Sequence, residues 1–361
     1  MKMKKIVCSL MISVLCFMTA IAGVSATSYD TSKINAAYSK VVEYYKNNNN
    51  LNNADKILAV ESLGLEAESN QFDTSSADLS STSLSKKIVT EVLLGVDPTE
   101  DKETLESQID ENGNVEGSWG ASSDVWTLYA LYVTSSEKTN LIANKLNDEL
   151  AASSVCGYEW GGTYYADYDT TGWVIEGLAV VNKEKYATTI NKAIDYIKNN
   201  TTMTTTGWVT ADNVDTQSQV LEGMFAYDTN ALLNDSYTVH PVDCLLNTQL
   251  SDGSFPSGYN AEYTTAEVAK TLGTYKNGSV IIKAKKAYDK MMNPEQPDNT
   301  RPTQPTDTRK DTQSTNKVET TNKKTTSVKT GDETNVVIFA SLSMVSGGLF
   351  LLLRKEYERV H

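Results

Sequence analysis

The chain has 361 residues, with 46 Asp and Glu against 32 Lys and Arg and a formal net charge of −14. Residues 27–292 hold 19 Lys, no Arg and 37 acids, a formal charge of −18. A nucleic-acid-binding face needs concentrated positive charge, so that class is excluded for this region. The lack of Arg forks also argues against tight phosphate or diphosphate binding.

In chain order, Met1-Lys2-Met3-Lys4-Lys5 is followed by an apolar run and by Val24-Ser25-Ala26. Basic start, apolar middle and small residues at the exit predict a secretory signal peptide over 1–26. The globular region follows over 27–292, long enough for a sizeable core. Ile34, Ala37, Tyr38, Val41, Val42 and Tyr45 fall on one helical stripe, as do Tyr186, Ile190, Ala193, Ile194 and Ile197. These predict amphipathic, half-exposed helices. Six other segments, at 54–65, 84–96, 124–133, 172–181, 216–227 and 265–275, are apolar on most sides and predict helices buried on several faces. Residues 72–82 are Ser-rich and read as mostly loop. Half-exposed and buried helices alternate, which predicts hairpins in two concentric layers, with 280–292 as a sealing helix. Periodicity alone does not choose between a closed ring and an open solenoid.

The buried segments share a pattern. Asp124-Val125-Trp126, Asp169-Thr170-Thr171-Gly172-Trp173, Asp215-Thr216-Gln217-Ser218-Gln219 and Thr264-Thr265-Ala266-Glu267 recur at 46–48-residue spacing. A near-constant period of this size means one supersecondary unit stacked repeatedly. Ala130, Gly177, Gly223 and Thr271 share a register. Gly inside a helix costs about 1 kcal/mol relative to Ala, so small residues at equivalent places predict close helix–helix approach.

Residues 293–335 are rich in Thr, Pro, Asn, Lys and Asp, with little to bury, and read as a disordered stalk. Residues 336–353 carry no charge and are long enough to span a bilayer. Arg354 and Lys355 follow, placing 354–361 in the cytoplasm.

A loop motif supplies a family resemblance. Gln249-Leu250-Ser251-Asp252-Gly253-Ser254-Phe255 fits Q-x-x-x-G-x-W/F. Glu116-Gly117-Ser118-Trp119-Gly120 is a second copy, and Trp160-Gly161-Gly162 and Gly207-Trp208 are degenerate ones. Residues 30–292 thereby resemble the prenyltransferase and squalene-cyclase repeat family. That resemblance implies an all-α fold, an α/α toroid of about six hairpins, with the motif loops tying hairpins together. It also brings Asp167-Tyr168-Asp169-Thr170-Thr171 into view, which is similar to the acid motif of class II terpene cyclases. By that resemblance Asp169 would be the proton donor and Asp167 its partner. The competing reading makes Asp169 a helix cap, since Asp215 recurs one repeat later and Asp is a preferred N-cap residue. Ser327-Val328-Lys329-Thr330-Gly331, the apolar span and the basic tail resemble a sortase cell-wall sorting signal. This implies sortase and peptidoglycan as partners and the surface of a Gram-positive-type bacterium as location.

Glu176, Glu222 and Lys270 share one inner register and either line a polar cavity mouth or form a neighbour pair of Glu222 with Lys270. With Trp126 and Trp173, whose rings can stack on a ligand, Glu176 and Glu222 are the candidate ligand-binding residues. No cofactor and no metal are expected. His240, Asp243 and Cys244 do not complete a zinc set. Asp110 to Glu116 resembles the start of a calcium loop, but Val115 stands where Gly is needed. Cys156-Gly157-Tyr158-Glu159 lacks the Gln of a thioester motif. Cys156 and Cys244 remain open to pairing or to burial as thiols. The function expected is a surface-anchored, non-catalytic module that binds an extracellular ligand or partner. The alternatives are a terpene-cyclase-like acid catalyst and a purely structural surface protein.

Overall fold

The structure, a computed structural model, describes residues 29–68, 80–207 and 213–293. The expected signal peptide over 1–26, Trp208, the expected stalk beyond 293, the expected sorting motif at Ser327 to Gly331 and the apolar span at 336–353 lie outside the described residues. Among the described residues no helix is long and apolar enough to cross a membrane.

The fold is mostly helical, with one small hairpin. In order it comprises α1 (Ser32–Asn47), α2 (Ala54–Ser62), α3 (Ser81–Leu93), α4 (Thr99–Ser107), α5 (Ala121–Val133) and α6 (Thr139–Ser153). Then come β1 (Gly157–Trp160), β2 (Thr163–Ala166), α7 (Tyr168–Asn200), α8 (Met203–Thr206), α9 (Val214–Asn234), α10 (Pro241–Leu246), α11 (Ala261–Asn277) and α12 (Val280–Met292). The β1–β2 pair is antiparallel, with Tyr158 opposite Tyr165. The Trp160-Gly161-Gly162 motif copy is therefore a hairpin turn, with both glycines at positive φ. This was not expected: four-residue strands lie below the reach of periodicity arguments.

Two long helices are bent pairs. α7 breaks at Asn182 and α9 at Asp228, where the backbone leaves helical geometry. At each break the side chain accepts a backbone N–H three residues on, from Lys185 and Ala231. These are N-caps, so one limb ends and a capped second limb starts without a connecting loop.

The six segments expected to be buried are α2, α3, α5, the first limbs of α7 and α9, and α11. α5 is buried along nearly its whole length, whereas α1 buries only Ile34, Ala37, Val41 and Tyr45. Neighbouring inner helices meet in sequence. Lys86 of α3 reaches Asp55 of α2 at 2.8 Å and sits over the Trp126 ring of α5. Gly177 of α7 presses on Val125 and Leu128 of α5, and Gly223 of α9 on Gly172 of α7. The Thr271 hydroxyl of α11 donates to the Ser218 carbonyl of α9. Ser62 of α2 then donates to the Ala269 carbonyl of α11, so the order of packing returns to its start.

The Gln249 to Phe255 loop behaves as a tie. Gln249 donates to the Ala37 carbonyl of α1, Gly253 abuts the Lys40 backbone, and Phe255 is fully buried. The copy at Trp119 does not, because its indole is 83% exposed. α12 packs on α2, α3 and α5, with Lys283 bonded to Glu61 at 2.7 Å.

Candidate functional site

Four of the six inner helices begin alike. Asn53, Asp167, Asn213 and Asn260 each accept a backbone N–H three residues on, at 2.9–3.1 Å. These are the N-caps of α2, α7, α9 and α11. The expectation that Asp169 caps its helix is thus corrected: Asp167 does, with both oxygens engaged by Thr170. Asp169 and Asp215 stand two residues inside their helices, and Asp55 holds the same place in α2.

Counting from the caps aligns the remaining inner faces. Lys86, Trp126, Trp173 and Gln219 lie six residues past the residue preceding each helix, and Tyr129, Glu176 and Glu222 nine past. α11 runs one residue longer and places Tyr263, Glu267 and Lys270 at matching levels. These side chains form one connected network. Lys270 Nζ lies 3.0 Å from Glu267 and 3.9 Å from Glu222, with all three nearly inaccessible. Gln219 donates to Glu267 at 3.2 Å and meets the Tyr263 hydroxyl at 3.3 Å. Tyr129 donates to Glu176 at 3.0 Å and to the Trp173 carbonyl at 2.9 Å. Thr274 donates to Glu222. The Trp126 ring lies 5.9 Å from Trp173, 4.5 Å from the Lys86 ammonium and 5.5 Å from that of Lys270.

Burial drives the protonation pattern. It raises the Glu222 carboxyl well above the usual range; Lys270 opposes this while Glu176 and Glu267 add to it. Glu176 is raised by burial too. Burial disfavours charge on Lys270, but Glu267, Glu222 and Asp55 outweigh it and hold the ammonium. Asp55 is likewise opposed by burial but held below the carboxylate range by Lys86. At the rim, burial pushes Asp169 up to about 7; the Thr216 hydroxyl opposes the shift and Asp167, Asp215 and Glu267 reinforce it. Asp215 is raised by burial, and the nearby Thr264 and Tyr259 hydroxyls oppose the shift.

Of the expected ligand-binding residues, Trp126, Trp173, Glu176 and Glu222 are brought together on adjacent inner helices. Glu222 and Lys270 do pair, but in the interior rather than as a screened surface contact. Asp55, Lys86, Gln219, Glu267, Tyr259 and Tyr263 were missed as site residues. A count from the helix starts, instead of from the tryptophans, finds Asp55, Lys86 and Gln219 directly, and Tyr263 and Glu267 once the extra residue of α11 is allowed for.

The metal and thioester motifs resolve into structural roles. His240 accepts the Val242 N–H through Nδ1, Asp243 bonds Tyr29 and Lys33, and Cys244 donates to the Thr206 carbonyl. Asp110 accepts the backbone N–H groups of Asn112 and Asn114, closing its own turn. Cys156 and Cys244 are free, buried thiols. Among the described residues no group of three or more His, Cys, Asp or Glu is arranged to hold a metal ion.

The chain matches no family model, no curated protein and no solved structure.

Proposed function

We propose that residues 27–292 form an α/α toroid of six hairpins that binds a ligand or partner without catalysis, displayed on the surface of a Gram-positive-type cell. The cyclic order of inner-helix packing supports the toroid. One observation carries the choice of binding over cyclisation: the inner faces are lined by ion-paired and hydrogen-bonded groups, Lys270 with Glu267 and Lys86 with Asp55. An acid that protonates an alkene needs an apolar chamber for the cation it creates, and these faces offer hydrogen-bonding carboxyls and amides instead. The signal peptide, the stalk and the sorting motif at Ser327 to Gly331 supply the surface location, with sortase and peptidoglycan as partners. Native mass spectrometry of the chain purified from its own host tests the binding reading. A retained small molecule or partner supports it, and a chain that arrives empty from every preparation opposes it.

The cyclase reading keeps one observation in its favour, the Asp169 carboxyl pushed up to about 7. Incubation with squalene and with a linear prenyl diphosphate separates the two. A cyclised product from the wild type that vanishes in Asp169→Asn establishes catalysis, because an amide cannot deliver the proton.

A further inference from the structure

The inner faces and their rim carry an imbalance that the helices do not resolve among themselves. Asp215 Oδ1, Gln219 Oε1 and Glu267 Oε1 accept no hydrogen bond, although these residues are only 4%, 1% and 0% exposed. Asp215 and Gln219 are one turn apart on α9, and Gln219 is bonded to Glu267 of α11. A buried acceptor without a donor costs about 1–3 kcal/mol, so three on one connected surface call for a donor from outside. The charges are unbalanced as well. Lys86 is committed to Asp55 and Lys270 to Glu267 and Glu222. Among the described residues no Lys forms an ion pair with Asp169 or Asp215.

An entrance exists where this surplus reaches the surface. Asp215 lines a recess of about 180 Å³ with Asn213, Pro256, Ser257, Gly258 and Tyr259. Tyr259 is 61% exposed, and its ring lies 6.3 Å from that of Tyr263. Tyr263 in turn meets Gln219, so a chain of side-chain contacts runs from the recess to the unsatisfied acceptors behind it. Asp169 is near enough to act electrostatically on both Asp215 and Tyr259.

We infer that this recess binds an organic ammonium group, a protonated alkylamine seated against the Asp215 carboxyl with the Tyr259 ring beside it and the Asp169 carboxyl adding its field from behind the recess. The inference rests on the ligand-binding reading above and names its ligand class. An ammonium supplies what the site lacks, three N–H donors and one positive charge, and an exposed tyrosine face adds cation–π attraction. The recess is small beside cavities that enclose drug-sized ligands, about 300–1,000 Å³, so the bound part is a single amine head. A divalent cation fits less well, since no metal-holding cluster is present among the described residues. Burial holds both carboxyls toward their neutral forms in the free protein. Binding an ammonium favours the carboxylates and releases protons.

The test is calorimetric titration of the purified chain with butylamine, with N-acetyl-lysine amide and with calcium chloride. Both amines are expected to bind and calcium is not; the tighter amine tells a free alkylamine from a lysyl side chain. Asp169→Asn with Asp215→Asn should weaken binding about thirtyfold or more, the scale for deleting buried charge partners. Tyr259→Ala should weaken it about threefold, and Tyr259→Phe, which keeps the ring but loses the hydroxyl facing Asp215, should weaken it less. Tyr259 is exposed, so its variants report on binding even where the double variant folds poorly. Calcium binding in place of amines, or amine binding indifferent to all these variants, overturns the assignment. If no amine binds while native mass spectrometry of the same preparation retains another molecule, the ammonium assignment falls and the binding reading stands.

Discussion

Gly223 of α9 lies against Gly172 of α7 so closely that a Cβ on Gly223 would sit 2.3 Å from the Gly172 carbonyl oxygen. Gly172 meets α9 in the same way, 2.4 Å from the Gln219 carbonyl oxygen. Gly177 differs, because its nearest neighbour is the Leu128 side chain at 3.1 Å. Backbone cannot step aside as a leucine methyl can. Gly223→Ala is therefore expected to destabilise the fold by about 2 kcal/mol or more despite the better helix propensity of Ala. Gly177→Ala should stay within about 1 kcal/mol, where propensity and crowding offset each other. Urea unfolding of both variants decides it, and equal losses would contradict the backbone contact.

Lys270 serves two glutamates of unequal need. Glu267 is its close partner at 3.0 Å, whereas Glu222 is held toward the protonated form by burial. Removing one side of a buried ion pair strands the other charge. Lys270→Met should then cost about 3–5 kcal/mol, and Glu222→Gln less, because burial already disfavours the Glu222 charge. Lys270→Met with Glu267→Gln should recover much of the loss. A double-mutant cycle by chemical denaturation measures the coupling.

Much of this was legible in the sequence where a physical signal repeats. The six buried segments follow from apolar residues on most sides and the Gly177–Gly223–Thr271 contact register from the repeat spacing, while the Gln249–Phe255 tie is what the family resemblance implies. The site is less legible because tryptophans mark it only on α5 and α7, and α2, α3, α9 and α11 have none. Lys86 has no repeat partner of its own type, so only its distance from the start of α3 places it there. The cap itself was misassigned because Asp169 and Asp215 are the conspicuous repeated acids. Asp167 and Asn213 share geometry without sharing identity, and a pattern of identical letters passes over them. Trp119 was misjudged because a motif match says nothing of what its loop touches.

Ser135 repeats a job that glycine does elsewhere. α2 and α3 end at Gly64 and Gly95, both at φ +71°, in left-handed turns whose following residues bond back to Val60 and Glu91. α5 ends the same way, but the residue is Ser135 at φ +55°. A left-handed residue with a Cβ costs roughly 1–2 kcal/mol, partly offset by the greater freedom glycine has in the unfolded chain. Ser135→Gly should stabilise the protein by about 0.5–1 kcal/mol, read as a higher urea midpoint at unchanged slope. A lower midpoint would mean that the Ser135 side chain contributes more than its backbone strain removes.

Asp169 and Glu91 give the protein a stability that falls toward neutral pH. Burial raises Asp169 to about 7 and Glu91 to about 8; Asp101 adds to the Glu91 shift and Lys87 opposes it. An acid whose pKa is higher folded than unfolded binds its proton more tightly in the native state. Its favourable contribution is complete below the unfolded value near 4 and is lost as pH rises through 7 to 8. Asp55 and Asp235 are shifted downward and work in the opposite sense, losing their contribution as pH falls below about 4. Stability should therefore peak near pH 4–5 and decline to pH 8. In Asp169→Asn the decline between pH 4 and 7 should flatten, and at pH 8 the variant should exceed the wild type by on the order of 1–3 kcal/mol. Denaturation midpoints of both proteins across pH 4–8 measure this. Parallel curves would place the proton elsewhere and leave Asp169 charged in the native state.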